Sequence, residues 1–169
     1  VYTGTLWKLT DIEPFVDAAL SFNRQHPVEA AQWELHFVGR RTQSQDAILD
    51  RLATTAIQLQ KHDYFPHSQS MKFAFEYDAL LLTLADHPGA ERVVPAKMFE
   101  YMALNREILA LVPSGEARDL LSKHPLATCI HPKDDESIAN WLAERIQGKK
   151  NGVEAASFAN KPLHLDWCS

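Results

Sequence analysis

Lys97 and Glu100 are the two charged residues of an otherwise apolar segment, residues 94–102. Their spacing predicts that both charges lie on one face, near the start of a helix that is covered on most other sides. Pro95 suits the first helical position, and the free N–H groups of a helix start attract anions, to which Lys97 would add a full charge. Glu100, one turn further in, could accept hydrogen bonds from hydroxyl groups. Phosphate and sugar hydroxyls together indicate a nucleotide site, and a surface salt bridge between the two residues is the alternative.

The elements that would position these charges follow from the pattern of apolar residues. Strands are predicted at residues 2–6, 34–38, 56–60, 79–83, 108–112 and 127–131. Helices are predicted at residues 12–25, 45–54, 68–75, 95–105, 117–124 and 136–147. Parallel strands need helical crossovers, so the alternation predicts an α/β fold, a doubly wound, Rossmann-like parallel sheet of about six strands with helices on both faces. Asp134 is predicted to cap the last helix, and Thr10 with Glu13 to form a capping box at the first.

Candidate binding residues follow the first two predicted strands. Ligands of an open α/β sheet bind outside the carboxyl ends of its strands. Gly4 and Thr5 lie at the end of the first strand, where a glycine lets a backbone approach a ligand closely. Gly39 and Arg40 follow the second strand, and a guanidinium can clamp a diphosphate through paired hydrogen bonds. A plain turn at Gly4 and a solvated arginine at position 40 are the alternatives.

The loops after the third and fourth strands add to the same edge of the sheet. Phe65, Pro66 and His67 form a short aromatic segment that could flank a base, although a lone histidine is often only a loop residue. The loop at residues 84–94 leads directly into the Lys97 helix and carries four polar side chains, Asp86, His87, Glu91 and Arg92. Each signal is weak by itself, and their convergence on one edge predicts the site.

Composition and missing motifs exclude several classes of function. The chain has 169 residues, of which 46% are hydrophobic and 23% charged, and this suits one domain with a real core. A net charge of -5 and the lack of a Lys/Arg cluster argue against a nucleic-acid partner. The apolar runs are too short to span a membrane. No Rossmann glycine fingerprint, P-loop or nucleophile elbow is present, and the dispersed histidines indicate no metal site.

The ends of the chain suggest a part of a longer protein. There is no initiator methionine, and strand character begins at residue 2, so we expect a domain excised from a larger chain. Residues 1–147 are predicted to form this domain. Residues 148–169 lose the helical period and are predicted to be a linker and a C-terminal tail.

Six segments stand in a characteristic order along the chain. They are Tyr-Thr-Gly-Thr-Leu at 2–6, His-Phe-Val-Gly-Arg at 36–40, Phe-Pro-His-Ser at 65–68, Tyr-Asp-Ala-Leu-Leu-Leu at 77–82, Val-Pro-Ala-Lys-Met-Phe-Glu-Tyr at 94–101 and Ile-Leu-Ala-Leu-Val-Pro at 108–113. Together they resemble the C-terminal half of GT-B glycosyltransferases, most closely the large retaining group called group 1 or family 4. The resemblance covers roughly residues 1–147, and its most specific part is the segment around Lys97 and Glu100.

The resemblance implies a set of roles for the candidate residues. In that family the C-terminal half binds a nucleotide-sugar donor, and a separate N-terminal half, missing here, binds the acceptor. By motif, Glu100 would hold the ribose hydroxyls and Lys97 the diphosphate at the helix begun by Pro95. The remaining positions would face the phosphates (Gly39, Arg40), border the base (Phe65, Pro66, His67) and line the cleft (Gly4, Thr5).

One departure from the family pattern concerns the donor sugar. Many relatives carry a glutamate eight residues before the ribose-binding one, and Arg92 occupies that position here, with Glu91 displaced by one. Either residue is a candidate contact to the donor sugar. The base, the sugar, the acceptor and the stereochemical outcome stay open.

The resemblance therefore predicts the donor domain of a glycosyltransferase, with no catalytic residue assigned in this half and no activity expected from the half alone. It implies no cofactor and no metal, because Lys and Arg neutralise the diphosphate. It also implies a cytoplasmic protein, with peripheral membrane association open to the full-length enzyme. Two alternatives stay open, a non-catalytic, degenerate GT-B module used for protein contacts and a nucleotide-sugar epimerase, whose acid and base would be drawn from His67, Asp86 and His87.

Overall fold

The computed structural model describes residues 1–150, with side chains described as far as residue 148. Its strands are β1 (Tyr2–Thr3), β2 (Glu34–Val38), β3 (Gln58–His62), β4 (Ala79–Thr83), β5 (Glu107–Leu111) and β6 (Ala127–Ile130). Its α-helices are α1 (Glu13–Gln25), α2 (Pro27–Ala30), α3 (Gln43–Asp50), α4 (His67–Phe75), α5 (Ala96–Ala103), α6 (Glu116–Leu121) and α7 (Asp135–Lys150). Short 3-10 turns occupy Lys8–Thr10, Arg51–Thr54 and Ala90–Arg92.

The strands form two parallel ladders that meet at Val1. One ladder has the order β1-β2-β3 and the other the order β4-β5-β6. The Val1 nitrogen donates to the Ala79 carbonyl at 2.7 Å, and the Leu81 N–H donates to the Val1 carbonyl at 2.8 Å. The spatial order is therefore β3-β2-β1-β4-β5-β6, the doubly wound order whose ligand crevice lies where the order reverses. The predicted fold class is confirmed.

Helices cover both faces of the sheet because the strand side chains are apolar on both sides. Leu81 and Leu109 point to one face and pack with residues of α1 and α7. Leu80 and Ile108, their neighbours along the strands, point to the other face and pack with Met98 of α5 and with α4 and α6. The two layers leave the carboxyl edge of β1, β2 and β4 open to the loops that carry the candidate residues.

The agreement with the predicted boundaries differs from strand to strand. β2 and β4 coincide with their predicted ranges, whereas β3 begins two residues later than predicted and β1 ends at Thr3. α2 and the turn at Ala90–Arg92 were not predicted. The linker prediction is wrong for residues 148–150, which continue α7, and residues 151–169 lie outside the described part of the chain. The division into donor domain and tail stays a prediction.

The two predicted helix caps have different outcomes. The Ser137 N–H donates to the Asp134 carboxylate at 3.0 Å, as predicted for the start of α7. The capping box at Thr10 is wrong, because the Thr10 hydroxyl donates to the Thr5 carbonyl at 2.7 Å, and α1 begins after Ile12. Thr10 therefore stabilises the loop after β1 and not the helix. None of the helices in residues 1–150 has the length and apolar character required to cross a bilayer.

Tyr101 of α5 completes the hydrogen bonding of β1. The Thr3 N–H donates to the Tyr101 hydroxyl at 2.9 Å, and the Thr3 hydroxyl lies 3.2 Å from the same oxygen. Tyr101 is fully buried, and this burial raises the pKa of its hydroxyl. The Tyr101 hydroxyl thus accepts the hydrogen bond that a neighbouring strand would otherwise accept from the Thr3 N–H. The same contact fixes α5 against the end of β1.

Tyr101→Phe is expected to lower the free energy of unfolding by about 1–3 kcal/mol, because the buried Thr3 N–H and hydroxyl lose their partner. Urea unfolding of the variant measures this loss. Tyr64→Phe is the matched control, since Tyr64 is largely exposed and its change should be nearly neutral. Equal stability of the Tyr101→Phe variant and the wild type would contradict the assigned role.

Candidate functional site

Lys97 reaches across the carboxyl end of β1. Its Nζ lies 4.1 Å from the centre of the Tyr2 ring. It also lies so close to Gly4 that a Cβ atom on Gly4 would collide with it. Among the described side chains, no carboxylate pairs with Lys97 directly, and Glu100 acts on it only through its electric field. Within residues 1–148, the ammonium is thus a cation without an ionic partner at the switch point of the sheet.

The surroundings of Lys97 favour an arriving anion. Burial lowers the pKa of the Lys97 ammonium to about 8, and the Glu100 carboxylate opposes this shift. The Tyr2 ring below is itself buried, and burial raises the pKa of its hydroxyl to about 12. The ammonium has lost water without gaining a carboxylate, so an anion at this place would gain a charge-assisted hydrogen bond and hold the lysine protonated.

Gly4 and Gly39 allow the loops after β1 and β2 to approach each other. Gly39 is buried with φ +124°, and a Cβ atom there would overlap the Gly4 carbonyl. The Gly4 N–H donates to the Val38 carbonyl at 2.7 Å, so it is not free for a ligand. Gly4 therefore leaves room for the Lys97 side chain. The structure also places the two predicted glycines, Gly4 and Gly39, in contact with each other.

Glu100 contacts His67 instead of Lys97. The Glu100 Oε1 lies 3.0 Å from the His67 Nε2, and the histidine side chain is largely exposed. The salt bridge that the sequence spacing also allowed is not formed. Because only one carboxylate oxygen faces His67, the other stays available to accept hydrogen bonds. Pro95 is the cap residue before α5, one position earlier than predicted, and the helix begins at Ala96.

The loop between β3 and α4 is anchored by aromatic side chains. The Phe65 ring packs against His62 and Phe73, with centroids 5.8 Å and 5.4 Å apart. Pro66 caps α4, and His67 is its first residue, so His67 is placed at the helix start and turned towards α5. The loop therefore brings His67 to Glu100, while Phe65 is packed against His62 and Phe73.

A pair of histidines supports this loop from below. The His36 Nδ1 and the His62 Nε2 are 2.8 Å apart, and the two rings lie within 11° of one plane. Centroids 5.1 Å apart are too distant for face-to-face stacking, so the contact is an in-plane N–H···N hydrogen bond. The Glu34 carboxylate lies 2.7 Å from the His36 Nε2 and orients the ring. Burial lowers the pKa of His62, which favours the neutral form of that ring.

Arg40 and Thr5 take different positions on the same edge. The Arg40 guanidinium carbon lies 5.6 Å from the centre of the Tyr64 ring, so the side chain leans towards the loop after β3. Its backbone carbonyl accepts from the Leu6 N–H, which ties the loops after β1 and β2 together. The carbonyl of Thr5 accepts from the Tyr2 hydroxyl at 3.0 Å. A phosphate contact by Arg40 stays a prediction.

Glu91 and Arg92 lie in the short turn before α5. Their side chains are mostly exposed and only 3.9 Å apart at the Arg92 Nε and the Glu91 Oε1. The backbone of Glu91 packs directly on Gly115, where a Cβ atom would collide with it. Gly115 therefore positions the turn, a role that the sequence reasoning missed. A contact of Glu91 or Arg92 with a donor sugar stays a prediction.

The acid and base residues of the epimerase alternative are not gathered into one group. His67 is engaged by Glu100, whereas Asp86 is engaged by Lys133 at 2.6 Å. Within the described residues no three His, Cys, Asp or Glu side chains are arranged to hold a metal ion. The expectation that no metal is required stays a prediction.

Two tyrosines of the site were missed by the sequence reasoning. Tyr2 supplies the ring under Lys97, and Tyr101 fixes α5 to β1. The available signal was their position, since Tyr2 precedes Gly4 on the first strand and Tyr101 follows Glu100. A buried tyrosine usually has a partner for its hydroxyl, which would have indicated a polar contact between the two segments.

Comparison with solved structures finds the same architecture in larger proteins. One neighbour is the apo form of OtsA, with a TM-score of 0.61 and 16% identity. Another is described as trehalose-6-phosphate from E. coli bound with UDP-2-fluoro glucose, with a TM-score of 0.62 and 16% identity. A third, the trehalose-6-phosphate synthase OtsA, has a TM-score of 0.60 and 15% identity. In each case the match covers 86% of this chain and 37% of the neighbour.

At this level of identity the likeness shows the fold alone, and it confirms the expected half of a GT-B fold. The chain spans about 37% of the length of the neighbours. No protein-family model matches the chain, and no curated protein matches it significantly.

Proposed function

We propose that this chain is the donor-binding half of a glycosyltransferase and binds a nucleoside-diphosphate sugar at the end of β1. The observation that carries the proposal is the Lys97 ammonium, which lies beside Gly4 and has no ionic partner in the described part of the chain, while Glu100 stands one turn away. A diphosphate supplies the missing anion, and a ribose supplies hydroxyl groups for the free oxygen of Glu100. The neighbour with bound UDP-2-fluoro glucose supports a ligand of this class for the fold.

The other candidate residues would contact different parts of the ligand. The base would lie along Phe65, Pro66 and His67, and the contact between His67 and Glu100 supports this arrangement. The donor sugar would extend towards the turn that carries Glu91 and Arg92. The role of Lys97 in transfer would be electrostatic, since it would stabilise the diphosphate as it leaves. The acceptor domain, a cytoplasmic location and independence from metal belong to the same proposal.

A non-catalytic module is the second candidate function. The observation that favours it is Arg92, which stands where many relatives carry a sugar-binding glutamate and is 84% exposed at its side chain. A module of this kind would keep the fold without the ligand. Nucleotide binding and its dependence on Glu100 separate the two candidates.

A calorimetric titration of the chain with UDP, GDP and ADP tests the proposal. We expect saturable binding of one diphosphate and a loss of about tenfold in Glu100→Gln, because a charge-assisted hydrogen bond to the ribose is weakened. Glu116→Gln, an exposed change on α6, is the matched control and should have no effect. A folded chain that binds none of the three nucleotides would favour the non-catalytic module.

The role of Glu100 can be separated from general electrostatics by a second ligand. A diphosphate lacking both ribose hydroxyls should bind the wild type more weakly than the normal nucleotide does. The affinities of the two nucleotides for the Glu100→Gln variant should differ much less, because glutamine accepts a weaker hydrogen bond from the ribose hydroxyls. Equal discrimination by the wild type and the variant would show that Glu100 does not contact the ribose.

Nucleotide affinity should fall as the pH rises above about 8, where the free protein loses the Lys97 proton. Above this pH a ligand that requires the ammonium must restore the proton, so its dissociation constant should increase by up to about tenfold per pH unit. The measurement is the same titration from about pH 7 to about pH 9.5, below the ordinary lysine pKa. Lys97→Ala is the control and should show a flat profile over this range.

A further inference from the structure

Arg41 is a nearly buried arginine at the carboxyl edge of the sheet, where β2 and β3 end. Its side chain is 15% exposed. The Nη1 atom donates to the Gly39 carbonyl at 2.9 Å and to the His62 carbonyl at 2.8 Å. Both N–H groups of this nitrogen are therefore used, one on the residue after β2 and one on the last residue of β3. The side chain thus joins the two strand ends.

The backbone around Arg41 brings the loop after β1 to the same junction. Leu6 and Arg41 form a parallel bridge. The Leu6 N–H donates to the Arg40 carbonyl at 2.9 Å, and the Thr42 N–H donates to the Leu6 carbonyl at 3.2 Å. Three loops that carry candidate residues for the diphosphate and for the base therefore meet at one arginine.

A carboxylate on α3 orients the guanidinium. The Arg41 Nε donates to the Asp46 Oδ1 at 3.0 Å, and the Lys61 Nζ of β3 donates to the same oxygen at 3.0 Å. The hydrogen bonds from Lys61 and from Arg41 lower the pKa of Asp46, so the carboxylate stays charged. The three bonds of Arg41 leave one planar group in fixed directions, and a lysine ammonium cannot reproduce that geometry.

The bonds of Arg41 distinguish it from Arg40, the predicted phosphate contact. Arg40 is exposed and leans on the Tyr64 ring. The Nε and Nη1 donors of Arg41 instead point to a carboxylate and two carbonyls of the protein itself. A phosphate could recruit these donors only by breaking the junction. Arg41 is therefore placed to hold the site and not to contact the ligand.

The junction is most important for β3, because in the described part of the chain β2 is the only strand that pairs with it. The side chains of β3 are all exposed or half-buried, so apolar packing holds this strand weakly. β3 ends at His62, and the next residue begins the segment proposed to border the base, residues 63–67, here called the base loop. The bond from Arg41 to the His62 carbonyl thus fixes where the base loop begins relative to Gly39.

We propose that Arg41 is a positioning residue that fixes the base loop relative to the loops beside the diphosphate and thereby sets the selectivity among nucleotide bases. The inference rests on the proposed function and adds a residue that the ligand does not touch. The diphosphate end of the ligand depends on Lys97 beside Gly4. A shift of the base loop should therefore change the binding of the base and leave the diphosphate end as it is.

The test compares the wild-type chain with Arg41→Lys, which keeps the charge and loses the planar fork. The ligands of the calorimetric titrations are UDP, GDP and ADP, with inorganic pyrophosphate as the probe of the diphosphate end. The dissociation constant of the preferred nucleotide should rise by about fivefold or more, the scale of one lost hydrogen bond, and its advantage over the other two should shrink. The dissociation constant of pyrophosphate should change by less than about twofold, because the charge is kept.

Arg118→Lys is the matched control. Arg118 of α6 also donates to two carbonyls at strand ends, those of Val112 at 3.3 Å and Cys129 at 3.2 Å. It acts at β5 and β6, on the other side of β4 from the base loop. Urea unfolding should show a loss of stability in both variants. Only Arg41→Lys should change the ratios among the three nucleotide dissociation constants, and unchanged ratios in both would show that Arg41 is only structural.

A second variant keeps the test decisive if Arg41→Lys does not fold. Asp46→Ala removes the carboxylate that orients the guanidinium, and the Asp46 side chain is 42% exposed, so the chain should tolerate the change. Base selectivity should fall in the same direction, by a smaller factor. Amide hydrogen exchange of the free variant should be faster than in the wild type at residues 63–65 and 67. Wild-type exchange together with wild-type selectivity would contradict the proposal.

Failure of this proposal can be distinguished from failure of the proposed function. If the wild type binds a nucleoside diphosphate and Arg41→Lys keeps its base selectivity, Arg41 does not position the base loop, and the nucleotide proposal stands. Equal weakening of pyrophosphate and of all three nucleotides would also overturn the assignment, because the base would not be singled out. If the folded wild type binds none of the three nucleotides, the proposed function fails and this inference fails with it.

Discussion

Lys97→Met is expected to weaken binding of the preferred nucleoside diphosphate by about 10- to 100-fold, the range of a lost charge-assisted hydrogen bond. The free protein should be as stable as the wild type or more stable. Burial holds the pKa of Lys97 at about 8, so the charged lysine opposes folding in the absence of a ligand. Methionine keeps an apolar stem against the Tyr2 ring and removes the charge.

The pH dependence of stability gives this prediction a second readout. An unfolded lysine titrates near pH 10.4, above the folded value, so the unfolded chain binds more protons between the two values. The wild type should therefore gain stability as the pH rises from about 8 towards about 10.4, and Lys97→Met should lack this gain. Lys123→Met, an exposed change after α6, should alter neither affinity nor stability. An unchanged dissociation constant in Lys97→Met would contradict the diphosphate assignment.

Gly39→Ala is expected to lower the free energy of unfolding by about 3 kcal/mol or more, through backbone strain and overlap with neighbouring atoms. Gly39 is buried with φ +124°, and the new Cβ atom would meet the Gly4 carbonyl, a backbone group that cannot move aside like a flexible side chain. If the variant folds, the displaced Gly4 should also disturb Lys97. Nucleotide affinity should then fall together with stability.

Gly89→Ala is the matched control for this prediction. Gly89 also has a positive φ, +92°, but a Cβ atom there meets nothing within 4 Å. The Gly89→Ala variant should therefore lose only about 1–2 kcal/mol of its free energy of unfolding, through conformational strain. Urea unfolding of both variants measures the difference, which isolates the close approach of the loops after β1 and β2. Equal losses at the two glycines would contradict the importance of that approach.

The sequence predicted the elements well where apolar pattern alone decides them. The predicted ranges were correct for β4, which is an apolar run, and for β2, in which Glu34 and His36 alternate with apolar residues. β3 is an edge strand with a polar sequence, Gln58–His62, and its apolar pattern placed it two residues too early. β1 is short because only Val1 connects it to β4, and beyond that point the Thr3 N–H bonds to the Tyr101 side chain. These are long-range contacts, so no local sequence pattern indicates where β1 ends.

The contacts of the candidate site residues could not be predicted from the sequence. The motif named Lys97 and Glu100 as candidates, but the side chain that contacts Glu100 is His67, the first residue of α4, and no local pattern shows that this helix begins close to α5. The position of Lys97 over Tyr2 and Gly4 depends on where α5 docks against the end of β1.

The central claim is that Lys97 and Glu100 hold a nucleoside diphosphate at the end of β1. Backbone amide chemical-shift mapping of the isotope-labelled chain, titrated with UDP, GDP and ADP in turn, tests it most directly. The predicted result is saturable shifts that are largest at Gly4, Thr5, Lys97 and Glu100, with a base-dependent set around His67. Saturable shifts confined to another part of the chain, or no shift in a folded protein at millimolar nucleotide, would contradict it.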